Sequence, residues 1–384
     1  MSIPYLPLEL VTLILREVDL AQTLAACCLV HKSWLEIARK NLYLRIVVEL
    51  FEVRVLRGGG GGGFEDNSDE DDSEWEFEGF RLMKRTTSLL ETLQQNRHLA
   101  SFPVSIILSS TEFDDEEGYV GATIEPQEAL DLVLSLTPNV TALDLDNDPF
   151  EFDYVLDDRP TERYKAMKVA GSDAWCSLHR MQNLKHLEMF HVPSSIRPLP
   201  HPLETLICAT TSAIDSSGRF RDFFHDLFHL TYSTLRTLSI PYTTFLGIDP
   251  RHLPNLEHLT VNLQTRAALA KQPSGGLVSG LQACRNLSTL TISGNAYGSA
   301  SSDSLLKLWP DRLPDSLYRI NLEQIPSLDV LLSIVSDAFS TSATTKQLSI
   351  WTRRNGTAKD LKHLATVRFM CESAGIELFS REMR

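Results

Sequence analysis

The sequence predicts an α/β protein: a short N-terminal helical block, then an irregular solenoid with a parallel sheet on one face and helices on the other. Three observations carry this. The first 45 residues hold more apolar side chains than so short a stretch can bury by itself. Six-residue apolar cores then recur through most of the chain. Between them lie helix-length amphipathic stretches, so the alternation is strand, turn, helix.

In the helical block, Pro7 suits a first helical turn. Leu8, Val11, Leu15 and Val18 then form one apolar stripe, and Leu6, Leu10, Leu13 and Ile14 form a second on the other side. A surface helix needs only one such stripe, so this helix should be covered from two directions. Leu24–Val30 is apolar all round and leads into an amphipathic stretch, Lys32–Ala38. The surplus apolar surface needs a partner, either the rest of the chain or another protein.

Leu44–Leu56 is rich in Val, Ile and Leu and reads as a strand. Six glycines follow, Gly58–Gly63, and then an acidic tract to Glu78. Such composition cannot offset its own ordering entropy, so residues 58–78 are expected to be a flexible insertion dispensable for folding. A helical pattern resumes at Arg81.

The recurring cores are Val140–Leu145, Leu184–Met189, Leu203–Cys208, Leu235–Ile240, Leu256–Val261, Leu287–Ile292 and Leu317–Leu322, with Thr345–Ile350 as a weaker eighth. Three apolar residues in six would recur by chance in a chain this aliphatic, so the shared context decides. Pro or Asn commonly precedes the first apolar position, as at Asn139, Asn183, Pro202, Asn255 and Asn286. The intervening helical stretches are Gln127–Leu136, Arg221–Leu230, Leu277–Cys284, Ser304–Trp309, Leu328–Phe339 and Leu361–Ala374. This is the pattern of a leucine-rich solenoid. The predicted division is residues 1–45, helical block; 46–80, strand plus insertion; 81–384, repeats.

Composition narrows the function classes. With 36 Lys and Arg against 50 Asp and Glu, the net charge is −14, and Glu65–Glu78 alone holds nine acids and no base. No dense basic face for nucleic acid is available. Six scattered cysteines make no disulfide framework. Leu6–Leu15 is broken by Glu9 and does not read as a signal peptide, and no apolar run is long enough to span a bilayer. An intracellular, soluble protein of the cytoplasm or nucleus is expected, with no membrane or nucleic-acid partner.

Chemistry is equally sparse. Asp144-Leu-Asp146-Asn-Asp148 opens like a calcium loop, but Pro149 and Val155 stand where glycine and a bidentate glutamate are needed. Cys27, Cys28 and His31 lack a second ligand pair at zinc spacing. Gly58–Gly63 has no following Lys-Ser/Thr, and no nucleophile motif accompanies His179, His186, His191, His225, His229 or His258. Neither catalytic, cofactor-binding nor metal-binding residues are expected. Trp175, Trp309 and Trp351 read as core or capping aromatics.

One family resemblance emerges. Leu6-Pro7-Leu8-Glu9-Leu10, Ile14-Leu15, Leu24–Val30, Lys32-Ser33-Trp34 and Leu42-Tyr43 together resemble an F-box. The repeats, with Leu93–Ser101, resemble the leucine-rich part of fungal F-box proteins. The resemblance implies a substrate receptor of an SCF-type (Skp–cullin–F-box) ubiquitin ligase. In it the F-box docks on a Skp-type adaptor, and through it cullin, while the repeats hold an unknown target protein. Carried over by position, the adaptor-facing residues are Leu6, Pro7, Leu10, Ile14, Leu24, Val30 and Trp34. The asparagine or cysteine usual beyond each strand is present only at Asn295, so irregular repeats are expected. The alternative is a non-ligase scaffold whose helical block merely caps the solenoid. Burial of Leu6, Leu10 and Ile14 against the chain's own repeats would favour that cap.

Overall fold

The structure is a computed structural model describing residues 7–18, 20–56, 75–111, 123–145, 162–169, 178, 180–189, 199, 202–208, 231–241, 248–263, 281–294, 313–323, 336, 345–353 and 358–383. The chain divides into two compact units, Met1–Ser177 and Leu178–Arg384.

The first unit opens with α1 (Leu8–Arg16), α2 (Ala21–Val30) and α3 (Lys32–Leu44), followed without a loop by β1 (Arg45–Leu56). Then come β2 (Trp75–Leu82), α4 (Lys84–Gln95), α5 (Arg97–Ala100), β3 (Ser105–Thr111), α6 (Pro126–Leu136), β4 (Ala142–Leu145) and β5 (Ala166–Val169). The second unit contains β6 (His186–Met189), β7 (Thr205–Cys208), β8 (Thr237–Pro241), β9 (His258–Leu263), β10 (Thr289–Gly294), β11 (Arg319–Glu323), β12 (Gln347–Arg353), α7 (Ala358–Ala374) and β13 (Glu377–Met383). A 13-stranded sheet has the order β13-β12-β11-β10-β9-β8-β7-β6-β5-β4-β3-β1-β2. Apart from the antiparallel β1–β2 pair, the described pairings are parallel.

Each of the eight cores becomes a strand that starts two residues after its first apolar position. Leu184, Leu203, Leu235, Leu256, Leu287 and Leu317 are buried in the turn before the strand. The second and third apolar residues point to the buried face of the strand, because side chains alternate at period 2. They stack in register: Leu206 beside Leu238, Leu238 beside Leu259, Leu259 beside Leu290, Leu290 beside Ile320, and Ile320 beside Leu348. In the first unit Ile46, Ile106, Leu143 and Met167 make the same row. A shift of one residue would turn every such row to solvent, which fixes the register.

Before five of the cores the context residue has a physical role. Its side chain reaches back to a carbonyl of the preceding turn: Asn139 to Ser101 at 2.7 Å, Asn255 to Ser233 at 2.6 Å, Asn286 to Pro254 at 3.0 Å. Thr234 donates to Leu203 O at 2.7 Å and Ser316 to Leu287 O at 2.7 Å in the same way. These bonds satisfy carbonyls of the turns.

Two expectations are corrected. The acidic tract does not stay unstructured to Glu78: Trp75–Leu82 is a strand pairing with β1 from Leu56↔Trp75 to Leu50↔Leu82. Trp75, Phe77 and Phe80 supply the β-prone residues that counting charges concealed. The helix expected from Arg81 begins instead at Lys84, because Arg81 and Leu82 are held in that ladder opposite Phe51 and Leu50. Residues 58–74 lie outside the described residues. So do the helical stretches Arg221–Leu230 and Ser304–Trp309, most of Leu328–Phe339 and the first half of Leu277–Cys284, whose described half carries a turn of 3-10 helix at Leu281–Ala283. Gln127–Leu136 and Leu361–Ala374 are helical, as α6 and α7.

Candidate docking face

The helical block is built on α3. His31 caps it, its Nδ1 accepting the Ser33 N–H at 3.2 Å. α1 and α2 both pack against α3. Glu9 in the first turn of α1 and Arg16 in its last complement the helix dipole. The core they enclose is small: Val11, Leu15, Leu24 and Ala38, with Val18, Cys27, Cys28, Trp34, Ile37 and Leu42 packed around them.

The second stripe of α1 stays outside this core. Leu10 is 48% exposed, Leu13 57% and Ile14 54%. Their spacing of three and four residues puts them on one helix face. Leu20, Leu29 and Val30 are also exposed, Leu29 at 89%. From the sheet side, the main contacts on the block come from α5 and β1, and both meet α3. One of them is ionic, His98 Nε2 lying 2.8 Å from Glu36 Oε1.

Of the residues expected to face an adaptor, Pro7, Leu10, Ile14 and Val30 are exposed. Leu24 is not: it fills the block's own core, and Trp34 is partly buried against that core. α2 is apolar all round, so its sequence could not say which side faces inward; the packing on α3 decides. For the same reason the exposure of Leu29 was hidden. Leu6 lies outside the described residues.

The sheet face opposite the buried rows is mostly polar among the described residues, with apolar exceptions such as Val47, Ile107 and Ile207. It carries a charge ladder at the strand entries: Lys185 donates to Glu204 at 2.5 Å and Arg236 to Glu257 at 2.8 Å. The hydrogen bond from Lys185 holds the Glu204 carboxyl below its ordinary range, with burial opposing it. Further along, Arg319 Nε donates to Gln347 at 2.7 Å and Gln347 in turn to Glu377 at 3.1 Å. His186 meets Thr205 at 2.9 Å. His179, His191, His225 and His229, with Trp175 and Trp309, lie outside the described residues.

Asp144, the described member of the calcium-like run, sits on β4 between Arg45 at 3.2 Å and Lys168 at 3.5 Å, bonds that position strands. Burial raises the Cys284 and Cys371 thiols to about 11, and Cys208 higher still, so these stay protonated at neutral pH. Among the described residues no group of three His, Cys, Asp or Glu could hold a metal ion, and no helix is long and apolar enough to cross a membrane.

No family model matches the chain, and no curated protein does. Among solved structures, a Bacteroides fragilis protein studied as a structural-genomics target is similar over 77% of this chain and 71% of its own, at 13% identity and a TM-score of 0.31. That likeness carries no argument about function.

Proposed function

We propose that the chain is the substrate-recognition subunit of an SCF-type ubiquitin ligase. Its helical block is an F-box that docks on a Skp-type adaptor and so on cullin, and its repeats bind a target protein. It acts in the cytoplasm or nucleus and performs no catalysis itself. The observation that supports this most is the face of α1: Leu10, Leu13 and Ile14 remain half exposed while Val11 and Leu15 fill the core. Covering a half-exposed leucine or isoleucine is worth about 1 kcal/mol, so this face gains several from a partner. Its exposure also speaks against the cap reading, which needs Leu10 and Ile14 buried under the repeats.

A Leu10→Ala, Leu13→Ala, Ile14→Ala chain, shown by circular dichroism to be folded, tests the proposal in cells. Anchors of this kind cost about 1–4 kcal/mol each on truncation. Adaptor and cullin should no longer co-purify, and the bound target should accumulate. Undiminished adaptor capture by the folded variant would leave the non-ligase scaffold as the better reading.

A further inference from the structure

The sheet ends at β13. It pairs in parallel with β12 from Gln347↔Glu377 to Arg353↔Met383, and among the described residues no strand lies on its other side. One bond fixes the direction of its backbone groups. The Glu377 N–H donates to Lys346 O at 2.8 Å, toward β12. Alternation along a strand then turns Phe379 and Arg381 the same way and leaves the N–H and C=O groups of Leu378, Ser380 and Glu382 facing outward. Open edges of this length are normally blunted by proline, a bulge, charged side chains of one sign or a covering segment, whereas the charges of β13, Glu377, Arg381 and Glu382, are of both signs. β13 contains no proline, and its register with β12 is unbroken over seven pairs. Phe379 stands 45% exposed in the middle of the strand.

We propose that two copies of this chain join edge to edge through β13, antiparallel, about a two-fold axis at Phe379. The strand is self-complementary about that point. Leu378 and the partner's Ser380 both turn their backbone groups outward, so they form a hydrogen-bonded pair. Phe379 and Glu377 then fall at the closer, non-hydrogen-bonded positions. There Phe379 meets the partner's Phe379, and Glu377 meets the partner's Arg381, once on each side of the axis. Aromatic and opposite-charge pairs are the cross-strand combinations that stabilise. An axis one residue later, at Ser380, would set Phe379 against Arg381 and Leu378 against Glu382, losing both matches. The contact is isologous and uses the β13 edge of both copies, so this interface closes as a dimer. It uses the last strand and not the helical block, and so stands apart from the ligase reading.

Sedimentation equilibrium of the full chain over about 1–100 µM tests it. The wild type should show monomer and dimer in exchange. Glu377→Arg and Arg381→Glu, each placing like charges opposite one another twice, should each weaken the dimer about tenfold or more. The double exchange should restore it, even though it also lacks the Gln347–Glu377 bond, which separates a lost interface from a locally damaged strand. Phe379→Cys should give an oxidised dimer whose disulfide links position 379 to itself, mapped by mass spectrometry. A wild type that stays monomeric throughout overturns the proposal. So do single reversals that dimerise as tightly as wild type, or a double exchange that restores nothing.

Discussion

Leu259 on β9 and Leu13 on α1 are the same residue on two amphipathic elements. Leu259 is flanked in register by Leu238 and Leu290 and has almost no solvent contact, whereas Leu13 leaves more than half its surface in water. The difference lies in repetition. Each repeat strand brings the next row of leucines to cover the last, so a core grows with length and needs nothing from outside. The helical block has no repeat to follow it. Three helices enclose four fully buried apolar residues and leave a second stripe over. The repeat sheet completes itself; the block does not.

The largest expected effect sets these leucines against each other. Leu259→Ala should cost about 2–5 kcal/mol, the range for a well-packed core leucine, read as a fall in urea midpoint. Leu13→Ala should move stability by no more than about 0.5 kcal/mol. A Leu13 loss as large as that of Leu259 would mean the α1 stripe is internal, and the contrast would collapse.

A smaller effect concerns the turn bonds. Asn286→Ala removes the amide that donates to Pro254 O and should cost about 1 kcal/mol by the same assay.

The smallest is electrostatic. The hydrogen bond from Lys185 depresses the folded-state pKa of Glu204, so its contribution is present above the unfolded carboxylate value of about 4.3. It disappears as pH falls through the depressed folded value. Because the pair is exposed, the difference between wild type and Glu204→Gln should be only on the order of tenths of a kcal/mol at neutral pH, and vanish on acidification. A difference that persists unchanged in acid would assign the effect to something other than the ion pair.

Much of the sheet was legible because a burial rule with fixed spacing writes itself into sequence. All eight cores are strands. Apart from β2, three strands were passed over: β13, and β3 and β5, whose first buried position is proline or tyrosine. Before β5 the first position is Tyr164 and the later ones are Met167 and Val169; before β3 it is Pro103. Reading any large apolar residue as equivalent would have found both. β2 was concealed by its own glutamates. In the helical block periodicity separated the two stripes of α1, but Leu8, read with Val11 and Leu15 on the inner stripe, is exposed. Leu24 and Leu29 on the uniformly apolar α2 could not be told apart, because only its packing on α3 gives that helix an inside and an outside.

Hydroxyl-radical footprinting of the purified chain, alone and with a Skp-type adaptor, tests the central claim most directly. It reads side-chain exposure residue by residue in both regions at once. In the free chain Leu10, Leu13, Ile14 and Leu29 should oxidise readily while Leu238 and Leu259 resist. On adding adaptor, Leu10, Leu13 and Ile14 should become protected and the repeat leucines should not change. Protection of the α1 stripe already in the free chain, or continued oxidation of it at saturating adaptor, would contradict the account.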